Sequence, residues 1–438
     1  MAHVKWFSDY DWSTLPRTLE EVTTRTFWEL LVLSVVTLIA FVLIDAWVER
    51  LPPARRASAW LEQRAHAGLL VIRVAAFATL IVAWQQGTLM TPDLPITSAW
   101  VSWGQLCVIL LLLFPASTTL AGLGIFVLWG YGAKVHGLFH MLDYVNVLGV
   151  AYFLAVRPLR RPLLAATALR ALHATVGFSL VWLGCEKLVY PAWGLALLEQ
   201  HPALALGLGN EYFLTAAAFV EMTLGYLLII CLLSRTLSVT ITIVFFLTTC
   251  VFGKVEVIGH TLIHASLIVF LLEGKGHAFR PPGLFHRQLP LRAAFAAVNF
   301  VVLVLGLLWV YSAASLRIQA GAGEAKAHVH APLEVADPTA VPTLSLEISE
   351  EAAGSTLHLV TARFRFAPEH ADGAHVEGEG HAHLYVDGRK VGRIYAPWHF
   401  LPALPPGQHV VRVTLNTNDH REYAAMGQVV AAEVVLKQ

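Results

Sequence analysis

The chain has 438 residues, of which 56% are hydrophobic and 14% charged, with a mean hydropathy of +0.61 and no formal net charge. Soluble domains carry roughly 25% charged residues, so the composition excludes an ordinary soluble protein and makes the lipid bilayer the first expected partner. Balanced charge argues against nucleic acid as a partner. The four cysteines all lie in apolar segments, and no Cys-x-x-Cys occurs, which disfavours a disulfide framework and a thiolate metal site.

Residues 1–26 are polar and aromatic and lack a secretory-signal pattern. Trp6, Phe7, Trp12 and Trp28 are expected to form an interfacial aromatic belt. Ten apolar segments then follow, at about 27–47, 68–85, 99–115, 118–133, 137–156, 169–188, 212–233, 236–252, 259–273 and 293–315. Each is long enough, or nearly so, to cross ~30 Å of hydrocarbon. Arginine and lysine cluster in alternate loops, after the first, fifth, seventh and ninth segments. By the positive-inside rule this puts the N-terminus and the C-terminal region outside. The expected location is a bacterial inner membrane, crossed many times, with both ends in the periplasm.

Segments two to five and six to nine read as a tandem repeat. Trp84 and Trp182 fall at matching places, as do Gln105 and Glu221, and His136/His140 and His260/His264. The expected organisation is an outer segment and first span in 1–67, a four-helix unit in 68–158, and a second in 159–275. A loop and last span follow in 276–318. Beyond a small-residue linker the texture changes to short alternating strands. Asp387-Gly388, between two such strands, is a hairpin signal. Residues 326–438 are therefore expected to form a periplasmic β-sandwich. The fold class is a mainly α-helical polytopic membrane protein with two four-helix repeats and a C-terminal all-β domain.

Histidine is the unusual residue: there are 20, and ten of them lie from His328 onward. His136-x-x-x-His140 and His260-x-x-x-His264 have the spacing that puts two side chains on one helix face. Imidazole suits Cu, Zn, Fe and Ni, so these four are candidate metal ligands; haem and quinone also fit the pattern. In the C-terminal region His381, His383 and Tyr385 share one face of a strand. Gly392 is expected opposite His383, leaving room for a ligand. His375, His399 and His420 are candidate ligands in neighbouring loops. A thiolate-dependent blue-copper centre is excluded in this region, which has no cysteine.

Charges within the apolar segments are the other signal. Glu221, Glu186, Lys187 and Asp143 all sit in apolar surroundings. A carboxylate there costs several kcal/mol unless paired or protonated. Glu221, Glu186 and Lys187 are therefore the candidate catalytic, proton-handling residues. Glu221 is expected to reach Arg73 or Gln105 if its role is structural.

Gly184-Cys185-Glu186-Lys187, Glu221-x-x-x-Gly225 and the helix end Leu271-Leu272-Glu273-Gly274 resemble the DoxX-like family of four-helix membrane proteins. The resemblance covers about 110 residues. In the first repeat it lapses, because Thr88-Leu89 stands for Glu186-Lys187 and Gln105 for the glutamate. Some members of that family are associated with quinol or thiosulfate oxidation, so the resemblance implies a redox setting. Three functions are expected from the sequence. The first is transition-metal binding at the periplasmic face, with copper favoured over zinc, for metal handling or redox chemistry. The alternatives are a quinol-linked oxidoreductase subunit, with quinone as cofactor, and a non-catalytic subunit of a larger membrane complex.

Overall fold

The computed structural model describes residues 4–6, 14–48, 50–96, 98–274, 287–325, 332–335, 337, 339–351, 354–370, 375–402, 404, 407–419 and 421–437. A helical unit holds the described residues of Met1–Asp9 and Arg17–Ala314. A strand-rich unit holds those of Tyr10–Pro16 and Ser315–Gln438.

In the helical unit the helices in chain order are α1 (Leu19–Val22), α2 (Arg25–Val48), α3 (Pro52–Glu62), α4 (Gly68–Gln85), α5 (Ala99–Leu113), α6 (Thr118–Val135), α7 (Leu138–Met141) and α8 (Val145–Val156). They continue as α9 (Pro162–Val189), α10 (Pro191–Gln200), α11 (Asn210–Ile229), α12 (Ser234–Phe252), α13 (Lys254–Glu273) and α14 (Leu289–Ala325). Proline opens α3, α9 and α10, where a missing N–H costs nothing. Thr18 and Glu21 cap α1 reciprocally. Among the described residues eight helical stretches are long and apolar enough to cross a membrane, and Ala99–Leu113 and Ile258–Glu273 are shorter apolar helices. Large apolar side chains such as Val32, Val36, Val298, Val302 and Trp309 are exposed. This is the pattern of helices whose outer surface meets hydrocarbon.

Helix α9 is central and packs most extensively on α11 and α8. Its approach to α11 rests on two facing glycines. A Cβ on Gly177 would stand 2.4 Å from the Gly225 carbonyl oxygen, and one on Gly225 would stand 2.5 Å from that of Gly177. Small residues at such a crossing bring backbones together and let dispersion and polar contacts hold helices in lipid. One consequence is that side chains near the C-terminal end of α9 reach the middle of α11.

The strands are β1 (Leu333–Glu334), β2 (Thr343–Glu351), β3 (Gly354–Ala362), β4 (Arg365–Phe366), β5 (Glu379–Val386), β6 (Arg389–Ile394), β7 (Trp398–Pro402), β8 (Gln408–Asn416), β9 (Tyr423–Ala425), β10 (Gln428–Val429) and β11 (Ala431–Lys437). They form open sheets in the orders β1-β9-β10, β11-β8-β5-β4 with β6 also on β5, and β2-β3-β7. The core draws Leu357 and Leu359 from β3, Leu401 from β7, Ala382, Leu384 and Val386 from β5, and Val411, Val413 and Leu415 from β8. Alternation along β5 thus sends Ala382, Leu384 and Val386 to the core and leaves His381, His383 and Tyr385 on the other face.

The hairpin forms at Asp387-Gly388, whose φ angles of 51° and 75° are those of a turn matching strand twist. Its register differs from the simple expectation. Tyr385 faces Lys390, but Leu384 faces Gly392 and His383 faces Arg393. The bulge at Val391 inserts one extra residue, so Arg393, and not Gly392, lies opposite His383.

Candidate functional site

The helical unit buries a network of charged side chains at one end. Its centre is Lys5, in a single 3-10 turn at Val4–Trp6. The Lys5 ammonium lies 2.6 Å from Asp143 Oδ2 and 2.6 Å from Glu186 Oε2, with all three side chains essentially inaccessible. Asp143 sits in the 3-10 turn Leu142–Tyr144 before α8, and Glu186 lies in the last turn of α9. The Trp193 ring, stacked on Tyr190, stands 5.5 Å from the ammonium. Burial, the largest influence, works to lower the Lys5 pKa. The Asp143 and Glu186 charges and hydrogen bonds outweigh it and leave the value raised, so the group is a held cation.

Beside this triad, Asp93 in the α4–α5 connection gathers four donors. Its Oδ1 accepts from Tyr144 Oη at 2.6 Å, Thr91 Oγ1 at 2.9 Å and Trp6 Nε1 at 3.2 Å; its Oδ2 lies 2.9 Å from His140 Nε2. Trp6 Nε1 also lies 3.1 Å from Tyr144 Oη, and the Trp6 ring packs 4.9 Å from His260. Gly259 makes room for it, since a Cβ there would come within 2.0 Å of the indole. The N-terminal turn is thus seated twice, by the ion pairs of Lys5 and by the indole of Trp6. Trp6, half-buried, is therefore seated in this site; Trp28 is exposed, and Phe7 and Trp12 lie outside the described residues.

One residue along α9, Lys187 points elsewhere. Its ammonium meets Glu221 Oε2 at 2.8 Å, with both side chains buried. Glu221 therefore bonds Lys187, and not Arg73 or Gln105. Gln105 donates to the backbone oxygens of Leu80 and Thr88. Lys187 also lines a cavity of about 250 Å³ between α9, α10, α11 and α12. The rest of its wall is almost wholly apolar: Leu197, Leu198, Phe213, Leu214, Val244 and Leu247 among others, with Thr248 the one further polar side chain.

One of the two helix-histidine pairs departs from its spacing. His136 follows α6, and Gly137 with φ 87° breaks the helix, so His136 and His140 do not share one helix face. Their ring centroids are 6.5 Å apart. His260 and His264 do lie on one face of α13, but both pack on Phe245 of α12. His260 Nδ1 is 3.1 Å from the Glu256 carbonyl oxygen, and Glu256 accepts from Thr248 at 2.6 Å. Among the described residues no three His, Cys, Asp or Glu gather as a set of metal ligands.

In the strand-rich unit, His381 and His383 are buried with their Nε2 atoms 2.9 Å apart. His375 stands 6.1 Å from the Tyr423 ring. His399 faces Leu357 across the β3–β7 pair. His420 lies outside the described residues.

Sequence reading singles out Glu186, Lys187, Glu221 and Asp143, but misses Lys5, which bonds Asp143 and Glu186, Asp93, which bonds His140, and Glu256 beside His260. A signal existed: three carboxylates in apolar segments against one lysine called for a second cation. No protein-family model, curated protein or solved structure matches this chain.

Proposed function

We propose that the chain is a multi-pass membrane protein that binds an isoprenoid quinone in the cavity at Lys187 and exchanges protons with it through Glu221. The observation that carries the proposal is the Lys187–Glu221 pair beside an otherwise apolar cavity. A quinone carbonyl accepts a hydrogen bond, whereas a quinol hydroxyl donates one. The Lys187 ammonium in the wall would donate to the carbonyl, and Glu221, bonded to it at 2.8 Å, stands one hydrogen bond further in to receive the proton of the quinol. The leucine and phenylalanine walls suit an isoprenoid tail.

Glu221 would take a proton from a quinol as an external electron carrier takes its electrons, with Lys187 holding the ring oxygen. Glu186, next to Lys187 on α9, shares the Lys5 ammonium with Asp143. It would serve as the next proton station. This reading fits the redox setting that the DoxX-like resemblance implies. Copper at the helix histidines is the weaker proposal, because Gly137 parts one pair and Phe245 packs on the other.

The test is binding of decyl-benzoquinone to the full chain in lipid nanodiscs, read by tryptophan quenching. Saturable binding in the natural protein is expected, weakened by Lys187→Met and abolished by Leu198→Trp, which fills the cavity. Equal quenching in all three proteins would reject the proposal.

A further inference from the structure

The strand-rich unit carries a second site, independent of the quinone reading. We infer that His381 and His383 form a copper(II) site, with both Nε2 atoms as adjacent ligands of a square-planar ion. The two residues are two apart on β5, so alternation puts them on one face, opposite the core residues Ala382 and Leu384. Their Nε2 atoms stand 2.9 Å apart. Two nitrogens bound at ~2.0 Å and at right angles to one ion lie about 2.8 Å apart, whereas a tetrahedral ion such as zinc holds them about 3.3 Å apart. The spacing matches two adjacent ligands at right angles more closely than two ligands of a tetrahedral ion.

The surroundings suit such an ion. Asn416 faces His381 and Thr414 faces His383 across the β5–β8 pair, and Thr414 donates to Asn416 Oδ1 at 2.9 Å. The Tyr395 ring stands 5.4 Å from His381. These put amide and hydroxyl oxygens, ligands that Cu(II) accepts beside imidazole, on the same face as the two rings. The cation Arg393, opposite His383, donates toward Tyr395 Oη at 3.4 Å.

Binding requires both Nε2 lone pairs. The neutral ring that carries its proton on Nε2 moves it to Nδ1 when the ion enters; no electron transfer is involved. A hydrogen bond between the two neutral rings gives the same 2.9 Å separation. In that case the pair is structural and titrated copper leaves it unchanged.

The test adds substoichiometric Cu(II) to the purified full chain in detergent and records electron paramagnetic resonance. The expected spectrum is axial, with nitrogen splittings from at least two equatorial imidazoles. One copper per chain should be lost in His381→Gln and in His383→Gln but kept in His358→Gln. Unchanged copper content and spectrum in the two site variants would overturn the inference. So would a natural-protein spectrum with one equatorial nitrogen or none, which needs no variant and does not depend on how the variants fold.

Discussion

Replacing Lys5 by methionine removes the cation at the centre of the buried network while keeping a side chain of similar length. Two carboxylate oxygens then stand where the ammonium was, at 2.6 Å each, in a site essentially closed to water. At an effective dielectric of ~20, each contact is worth about 6 kcal/mol of gross attraction. Desolvating three charged groups at several kcal/mol each offsets most of that sum. The net stabilisation is small, but stranding a buried charge is not: removing one partner typically costs about 3–5 kcal/mol. For a unit of this size that corresponds to a fall in melting temperature of roughly 5–10 °C. Thermal unfolding of the full chain in nanodiscs, followed by tryptophan fluorescence, measures it. The triple variant Lys5→Met, Asp143→Asn, Glu186→Gln removes all three charges and is expected to recover more than half of the loss. A Lys5→Met protein that melts like the natural one would refute the placement of the N-terminal turn. A triple variant no better than the single one would refute the electrostatic account of the cost.

Three further outcomes follow from the packing and the titrating groups. Gly259→Ala puts a methyl group within 2.0 Å of the Trp6 ring; it should release the N-terminal turn, seen as faster proteolysis near residue 5, and Trp6→Ala in the same chain should abolish any further effect of Gly259→Ala. Gly177→Leu drives a side chain into the Gly225 carbonyl and Ile229, so a loss of about 1–3 kcal/mol or more is expected in the same melting assay; an unchanged midpoint would contradict the close α9–α11 crossing. Burial lowers the pKa of His399 below the usual 6.5. The unfolded chain therefore binds that proton more readily. The stability it contributes is full above pH 6.5 and falls as the pH drops below it, by at most about 1.4 kcal/mol per pH unit. Hydrogen exchange at β3 and β7 should accelerate between pH 7 and 5 less in His399→Phe than in the natural chain, and equal acceleration would remove His399 as the cause.

The helices were legible because apolar runs in this chain are long and are punctuated by proline and glycine. The Asp387-Gly388 hairpin was legible because its turn demands positive φ at both residues. What escaped was of two kinds. A single backbone irregularity changes which residues face each other, as Gly137 does between His136 and His140 and the Val391 bulge does opposite His383. Periodicity assumes regular backbone, so neither has a signature in spacing alone. The second kind is pairing over long separations. Lys5 meets Asp143 across 138 residues of chain, and no local pattern marks that contact. The surplus of buried carboxylates showed that a cation was needed, but not which one.

The central claim is that the cavity beside Lys187 holds a quinone. Photolabelling tests it most directly, with a quinone carrying a diazirine on its tail, irradiated with the full chain in nanodiscs and followed by peptide mapping. Labels are expected on the Leu197–Leu198 stretch of α10 and on Val244 and Leu247 of α12, suppressed by excess unlabelled quinone. The chain has a second cavity of about 250 Å³, lined by Ile229, Phe295 and Leu303 with Arg292 and Asn299. Competable labelling there, or labelling spread evenly over the lipid-facing helices, would contradict the account.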